Sequence, residues 1–278
     1  MESRAVLVLG MHRSGTSAIA RGLAALSVYL GDDFLDAQPE NPTGYWEDKG
    51  IVEINERVLK RLGIAWDDVS PIDRRQLESW RMWPLRREAR KYLERAFTPH
   101  RLWGFKDPRT IRILPFWRRV FGDARVADSY LVAIRNPRSV EASLYARQRM
   151  DAARAQRLWL VHSVPFMREI AGLPFVVVDY DRLMLDPRGE LGRIATTLQI
   201  PSFDRSASEI GRFSAEFLDA GLRHTRFALE ELDGETGLAR LTRDAYLRLY
   251  DLACDRVAAD QFWSGWTGVE REYRALVG

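Results

Sequence analysis

The feature that most constrains this chain is the junction between residues 5 and 26. An apolar run, Ala5-Val6-Leu7-Val8-Leu9, leads directly into Gly10-Met11-His12-Arg13-Ser14-Gly15-Thr16-Ser17, and the Ala/Leu-rich stretch Ser17–Leu26 then continues with helical period. A buried strand, a glycine-punctuated loop and a helix start, in that order, gather backbone N–H groups around one point. The positive end of the helix dipole stands behind them. Such a junction is an anion cradle. A plain strand–turn–helix connection, with Gly15 serving tight packing, is the competing reading. Arg13, Ser14, Thr16 and Ser17 together in one loop favour the anion.

Three further apolar runs follow: Leu102–Phe105, Tyr130–Ile134 and Pro174–Val178. They are continuous rather than alternating, which suits parallel strands covered on both faces. Stretches of helical period separate or follow them, at Ile51–Leu62, Arg74–Phe97, Arg154–Ile170 and Leu238–Phe262. This alternation predicts an α/β fold with a doubly wound, mostly parallel central sheet flanked by helices. Ligands bind such sheets beyond the carboxyl ends of the strands. With no linker or repeat in view, residues 1–278 are expected to form a single domain. Its core is about 1–200, and the part from about 201 to 278 is mainly helical. The last amphipathic stretch can close the domain or pair two copies in a homodimer.

Composition removes other classes. The 278 residues are 46% hydrophobic, and 42 basic against 39 acidic residues leave a formal charge of +3. A disordered polyelectrolyte is excluded, and nucleic acid is not an expected partner. The single Cys254 rules out an intramolecular disulfide. No apolar run approaches the ~18 residues of a membrane span, and the N-terminal run lacks a signal-peptide pattern, so a cytoplasmic protein is expected. His100, His162 and His224 have no metal-ligand spacing, so no metal is expected.

The loop matches the spacing G-x-x-x-x-G-[KT]-[ST], with Thr16 where a Walker lysine would stand. A P-loop kinase or NTPase needs that lysine, and usually Mg²⁺, on its phosphates. Here Arg13 supplies the cation earlier in the loop, which suits a compact terminal anion. A second anion site is readable after the third run. Arg135-Asn136-Pro137 follows Ile134; Asn136 is a good N-cap and Pro137 suits the first helical position. Ser139, Ser143 and Arg147, four apart, share one face of the helix. Arg135, Ser143 and Arg147 can clamp a phosphate, and a capped surface helix with a cationic stripe explains them equally well.

Taken together, these elements resemble the 3′-phosphoadenylylsulfate (PAPS)-dependent sulfotransferases over about residues 5 to 200. The resemblance implies that Arg13, Ser14, Gly15, Thr16 and Ser17 hold the 5′-phosphosulfate. It implies that Arg135 and Ser143, eight residues apart, hold the 3′-phosphate, with Arg147 beside them. Val178-Asp179-Tyr180-Asp181-Arg182-Leu183 looks like the family's V-x-Y-E-D-L stretch, which implies Tyr180 against the adenosine. Asn41-Pro-Thr-Gly44-Tyr45-Trp46-Glu47-Asp48 and Trp103-Gly-Phe-Lys106-Asp107-Pro108-Arg109 look like stretches of bacterial members, some of which act on carbohydrates or natural products. The chain departs from animal cytosolic members in two places. It has no K-x-H histidine, because Asp107-Pro108 follows Lys106. It has no R-K-G loop, for which Arg223-His224-Thr225-Arg226 is the substitute, with Arg223 as its phosphate ligand.

The implied reaction is in-line transfer of a sulfuryl group from PAPS to a hydroxyl on a small-molecule or glycan acceptor. Arg13 would carry the charge on the bridging oxygen and the moving group, and Lys106 would assist, unless it forms a surface pair with Asp107. Glu47 is the expected general base, unless it and Asp48 cap the helix near Ile51; Asp48 and Asp107 are the reserves. His12 either touches the sulfonate or is satisfied within the loop. Acceptor walls are expected from Asp32–Asn55, Ala65–Leu77 and Gln148–Val164. Trp80 and Trp83 read as packing residues or a groove wall. The run Arg81, Arg86, Arg87, Arg90, Lys91 reads as a solvated face or an attractor of anionic acceptors. The competing functions are a P-loop nucleotide kinase or NTPase and a non-catalytic nucleotide-binding protein.

Overall fold

The computed structural model describes residues 3–38, 44–201, 203, 206–217, 227–232 and 237–277. Four strands form one sheet: β1 Arg4–Gly10, β2 Leu102–Lys106, β3 Ala127–Ile134 and β4 Phe175–Asp179. Their order is β2-β1-β3-β4, and every pairing is parallel. All four expected strands are present, and the α/β, doubly wound reading holds. Val8 pairs with Lys106 on one side and Leu131 on the other, while Ile134 pairs with Asp179. All four carboxyl ends therefore open on the same edge of the sheet.

The helices are α1 Thr16–Ala25, α2 Lys49–Leu62, α3 Arg74–Glu78, α4 Trp83–Ala96, α5 Leu114–Ala124, α6 Pro137–Gln148 and α7 Ala152–Ser163, then α8 Tyr180–Leu185, α9 Pro187–Thr197, α10 Ala207–Arg212, α11 Gly237–Ala253 and α12 Ala259–Val277. The continuous apolar strands feed two cores. Ala5, Leu7 and Leu9 face Trp103, Phe105 and Trp117 on one side of the sheet. Val6 and Val8 face Ile19, Leu23, Leu131 and Leu191 on the other. Each such buried side chain contributes about 1.5–3 kcal/mol relative to exposure. Two-sided burial is the reason β1 shows no polar alternation.

Three expected long helices are broken, each at an identifiable residue. Arg74–Phe97 divides into α3, a 3₁₀ turn and α4, because Ser79 is extended and Pro84 restarts the helix in its first turn. Arg154–Ile170 ends its α-helix at Ser163, two residues before Pro165, and resumes only as a 3₁₀ turn. Leu238–Phe262 is two helices. Asp255 takes φ 54°, and Arg256 N–H bonds back to the Asp251 carbonyl at 2.9 Å, closing α11 before α12 packs against it. Trp80 and Trp83 do not pack; both stand in solvent.

Candidate active site

The strand tips deliver the site. β1 ends in the phosphate loop, β2 ends at Lys106, β3 is followed by Arg135, and β4 is followed by Tyr180. At the loop's entry, a Cβ on Gly10 would lie 2.7 Å from the Ala133 carbonyl oxygen, so only glycine lets β1 and β3 approach there. Gly15 takes φ 77°, and a Cβ on it would lie 2.1 Å from Cδ2 of Tyr180. The tyrosine ring thus rests directly on the loop. α1 starts at Thr16 with no side-chain cap and no acidic residue in its first turn. No carboxylate of that turn therefore offsets its N-terminal dipole.

Arg13 is a non-glycine residue at φ 70°. This region is uncommon for such residues, and where it persists it costs on the order of 1–3 kcal/mol. The strained backbone directs Arg13 Nε to Ser143 Oγ, 2.8 Å away on α6. Arg135 donates to the Arg13 carbonyl at 3.3 Å, and its guanidinium carbon lies 4.9 Å from the centre of the Tyr180 ring. The structure therefore brings Arg13, Gly15, Arg135, Ser143 and Tyr180 together. Asn136 caps α6 as expected, accepting from Arg138 N–H at 2.9 Å. Arg147 stands one turn beyond Ser143 on α6. Arg223 lies outside the described residues, as do Asn41, Pro42 and Thr43.

Lys106 is 3% exposed and Glu47 4%. Lys106 Nζ lies 2.5 Å from Glu47 Oε1, 2.9 Å from the Tyr45 carbonyl oxygen and 3.3 Å from Ser17 Oγ. Ser17 Oγ itself donates to the same Tyr45 carbonyl at 3.1 Å. The surface pair between Lys106 and Asp107 does not form. Glu47 is not the helix cap either. Asp48 takes that role, accepting from Ile51 N–H at 3.0 Å and from the Tyr92 hydroxyl at 2.6 Å. Burial pushes the Asp48 carboxyl up, with the Tyr92 and backbone hydrogen bonds opposing. Asp107 is fully buried and also occupied. It accepts from Asn55 Nδ2 at 2.8 Å and from Arg109 Nη1 at 2.7 Å. Asn55 in turn accepts from Trp117 Nε1 at 2.8 Å.

Sequence reasoning passed over Arg109, quoting it only within a motif. Its Nη1 lies 3.4 Å from Glu47 Oε2, so each oxygen of Glu47 faces a cation. Burial works against the Arg109 charge, but Asp107, Glu47 and Glu56 outweigh it and hold its pKa above the ordinary value. The signal available was its position, three residues beyond the strand-tip lysine.

His12 marks another wall. Its ring centre lies 4.3 Å from that of Trp66 and 6.2 Å from that of His162. These partners come from two of the segments expected to line the acceptor. The imidazole is not satisfied within the loop: Nε2 of His12 and Nε2 of His162 are buried without a hydrogen-bond partner among the described residues. Burial first, then the charges of Arg109, His162, Lys106 and Arg147, holds the His12 pKa well below 6.5. Burial and Arg112 lower His162 to about 3. Both rings are neutral at pH 7.

Comparisons with known proteins give the family and the fold. A family model described as "Sulfotransferase family" matches residues 5–205. The sulfotransferase domain from the curacin biosynthetic pathway superposes with a TM-score of 0.52 at 15% identity, covering 90% of this chain and 98% of that one. The sulfotransferase domain from the Synechococcus PCC 7002 olefin synthase gives a TM-score of 0.51 at 16% identity, covering 88% and 95%. At these identities the likeness is one of fold. No curated protein matches the chain. The family match spans the phosphate loop, the Glu47–Lys106 pair, the Arg135–Ser143 helix and Tyr180, and the chain belongs to the sulfotransferase family.

Proposed function

We propose that the chain transfers a sulfuryl group from PAPS to a hydroxyl of a small-molecule or glycan acceptor. The observation that carries this reading is the position of Lys106. One buried ammonium bridges Ser17, the last residue of the phosphate loop, to Glu47, the candidate base. The residues present fit the donor. The uncapped start of α1 suits a terminal anion, and the bare Gly15 lets the Tyr180 ring rest against the loop. When bound, PAPS supplies an activated sulfuryl group on a phosphate leaving group.

In this reading Ser14, Gly15, Thr16 and Ser17 hold the 5′ end, and Arg135, Ser143 and Arg147 hold the 3′-phosphate, with Arg223 joining them. Tyr180 lies against the adenosine. Arg13 is permanently protonated, so it steadies charge at the transferring group without giving up a proton. Lys106 adds a second charge there and can donate a proton to the leaving oxygen. Glu47 accepts the acceptor's hydroxyl proton, a role of general-base type that contributes roughly 10²–10⁴-fold. In this reading Arg13 and Lys106 supply the positive charge that a P-loop kinase draws from its lysine and Mg²⁺.

The test is donor turnover with a panel of hydroxyl acceptors covering sugars, phenols and lipid alcohols. Release of 3′-phosphoadenosine 5′-phosphate, stoichiometric with a sulfated product, is the expected result. Mg²⁺-dependent consumption of ATP, with no bisphosphate release from PAPS by any acceptor, overturns the reading.

A further inference from the structure

The far end of α2, α3 and the 3₁₀ turn ahead of α4 enclose a groove of about 330 Å³, lined by Arg61, Leu62, Arg75, Trp80, Arg81 and Met82. Trp80 is 79% exposed and Trp83 56%. Two large indoles three residues apart in sequence stand in solvent, and exposed apolar surface of this kind marks interaction sites. Arg81 lies over the Trp80 ring at 5.8 Å and Arg87 over the Trp83 ring at 5.6 Å. Trp83, Arg87 and Lys91 repeat every four residues and so share one face of α4.

The charges on this surface are unbalanced. Arg61, Arg81, Arg87 and Lys91 are all exposed, and none forms an ion pair with a carboxylate among the described residues. The nearby acidic groups are already matched: Asp73 with Arg75, Glu88 with Arg57, and Glu94 with Arg90. The result is a cationic face that presents two tryptophans.

We propose that this face docks the protein on an anionic lipid surface. Tryptophan favours the headgroup level of a bilayer, where its ring is apolar and its N–H stays wet. Lysine and arginine side chains beside an anionic leaflet add electrostatic attraction to it. An acidic glycan is the less favoured occupant, because Gln76 and Ser79 are the groove's only uncharged polar side chains. The patch is separate from the candidate active site. Arg61 donates to the Arg81 carbonyl at 2.6 Å, tying the groove to the end of α2 opposite Asp48. A helix of fourteen residues spans about 20 Å. Docking therefore holds or fails independently of the sulfuryl-transfer reading.

Co-sedimentation of the full chain with vesicles tests the proposal. Vesicles of phosphatidylcholine with phosphatidylglycerol should bind it, and phosphatidylcholine alone should not. The binding should weaken in high salt. Trp80→Ala with Trp83→Ala, and separately Arg81→Gln with Arg87→Gln, should each lower the partition at least tenfold, which corresponds to 1.4 kcal/mol. Circular dichroism and 3′-phosphoadenosine 5′-phosphate binding should be unchanged in both. Equal sedimentation with neutral and anionic vesicles overturns the proposal. So does retention on a heparin column without vesicle binding, a Trp80-dependent dimer without vesicle binding, or full vesicle binding by both folded variants.

Discussion

Lys106 and Glu47 form an ion pair of 2.5 Å in which neither side chain is more than a few per cent exposed. A pair buried this deeply recovers its desolvation cost only through close geometry and further hydrogen bonds. Here the Tyr45 carbonyl and Ser17 Oγ accept from the ammonium, while Arg109 approaches the other carboxylate oxygen. The pair touches the loop after β1 through Ser17.

Removing half of this pair separates stability from activity. Glu47→Gln should cost about 3–5 kcal/mol, because it strands a buried ammonium. Turnover should fall by roughly 10²–10⁴ while donor affinity stays within a few-fold. The double variant Glu47→Gln/Lys106→Met should recover most of the stability but none of the turnover. Chemical denaturation and steady-state kinetics check the two parts; turnover restored in the double variant would remove Glu47 and Lys106 from the reaction.

Arg135 should discriminate between nucleotides. It reaches the Arg13 carbonyl and stacks on Tyr180, at the mouth of the helix that carries Ser143. A lost hydrogen bond to a charged group is worth about 1.5–3 kcal/mol. Arg135→Ala should weaken 3′-phosphoadenosine 5′-phosphate by roughly 10–150-fold and adenosine 5′-phosphate far less. Calorimetry on both ligands measures this, and equal losses would count against a 3′-phosphate contact.

Gly15 should tolerate no side chain. Alanine there must adopt a left-handed backbone, at about 1–2 kcal/mol, and must also displace the Tyr180 ring. Gly15→Ala should lower donor affinity at least about tenfold, or 1.4 kcal/mol. In Gly15→Ala/Tyr180→Ala the steric part of the loss should disappear. Unchanged affinity in the single variant would mean the loop does not seat the donor as described.

The buried histidines should make the protein acid-sensitive. His162 sits at about 3 when folded against 6.5 ordinarily, so between those values the unfolded chain binds more protons. Stability then falls as the pH falls, by about 1.4 kcal/mol per pH unit for each such group. His12 acts in the same direction. Asp179 opposes them. Burial, helped by Asp181, raises it to about 6 from 3.8, so its contribution is present at low pH and lost as the pH rises through that window. Denaturation at pH 7 and pH 5 should show a net loss on acidification, shallower in His162→Gln. The same slope in both proteins would show that His162 titrates normally.

The sheet was readable because β1 to β4 are buried on both faces, and burial writes itself as continuous apolar runs. The junction between β1 and α1 was readable for a different reason: its residues lie within eight consecutive positions. What escaped depended on contacts between distant segments. Arg109 is significant only because β2 places it over Glu47, whose own segment precedes α2. Glu47 and Asp48 looked interchangeable as caps, and the Ile51 N–H together with the Tyr92 hydroxyl, more than forty residues on, marks Asp48 as the one turned into the helix. Trp80 and Trp83 read as packing residues or a groove wall, and with the helix broken at Ser79 and restarted at Pro84 both stand in solvent. Arg223 lies outside the described residues, so its role rests on resemblance alone.

The most direct test of the central claim is calorimetric titration with 3′-phosphoadenosine 5′-phosphate and with ATP, each with and without Mg²⁺. Tight binding of the bisphosphate regardless of Mg²⁺, with weak ATP binding, is the predicted result. Tight, Mg²⁺-dependent binding of ATP with little affinity for the bisphosphate would contradict the assignment of Arg135 and Ser143 to a 3′-phosphate, and with it the use of PAPS.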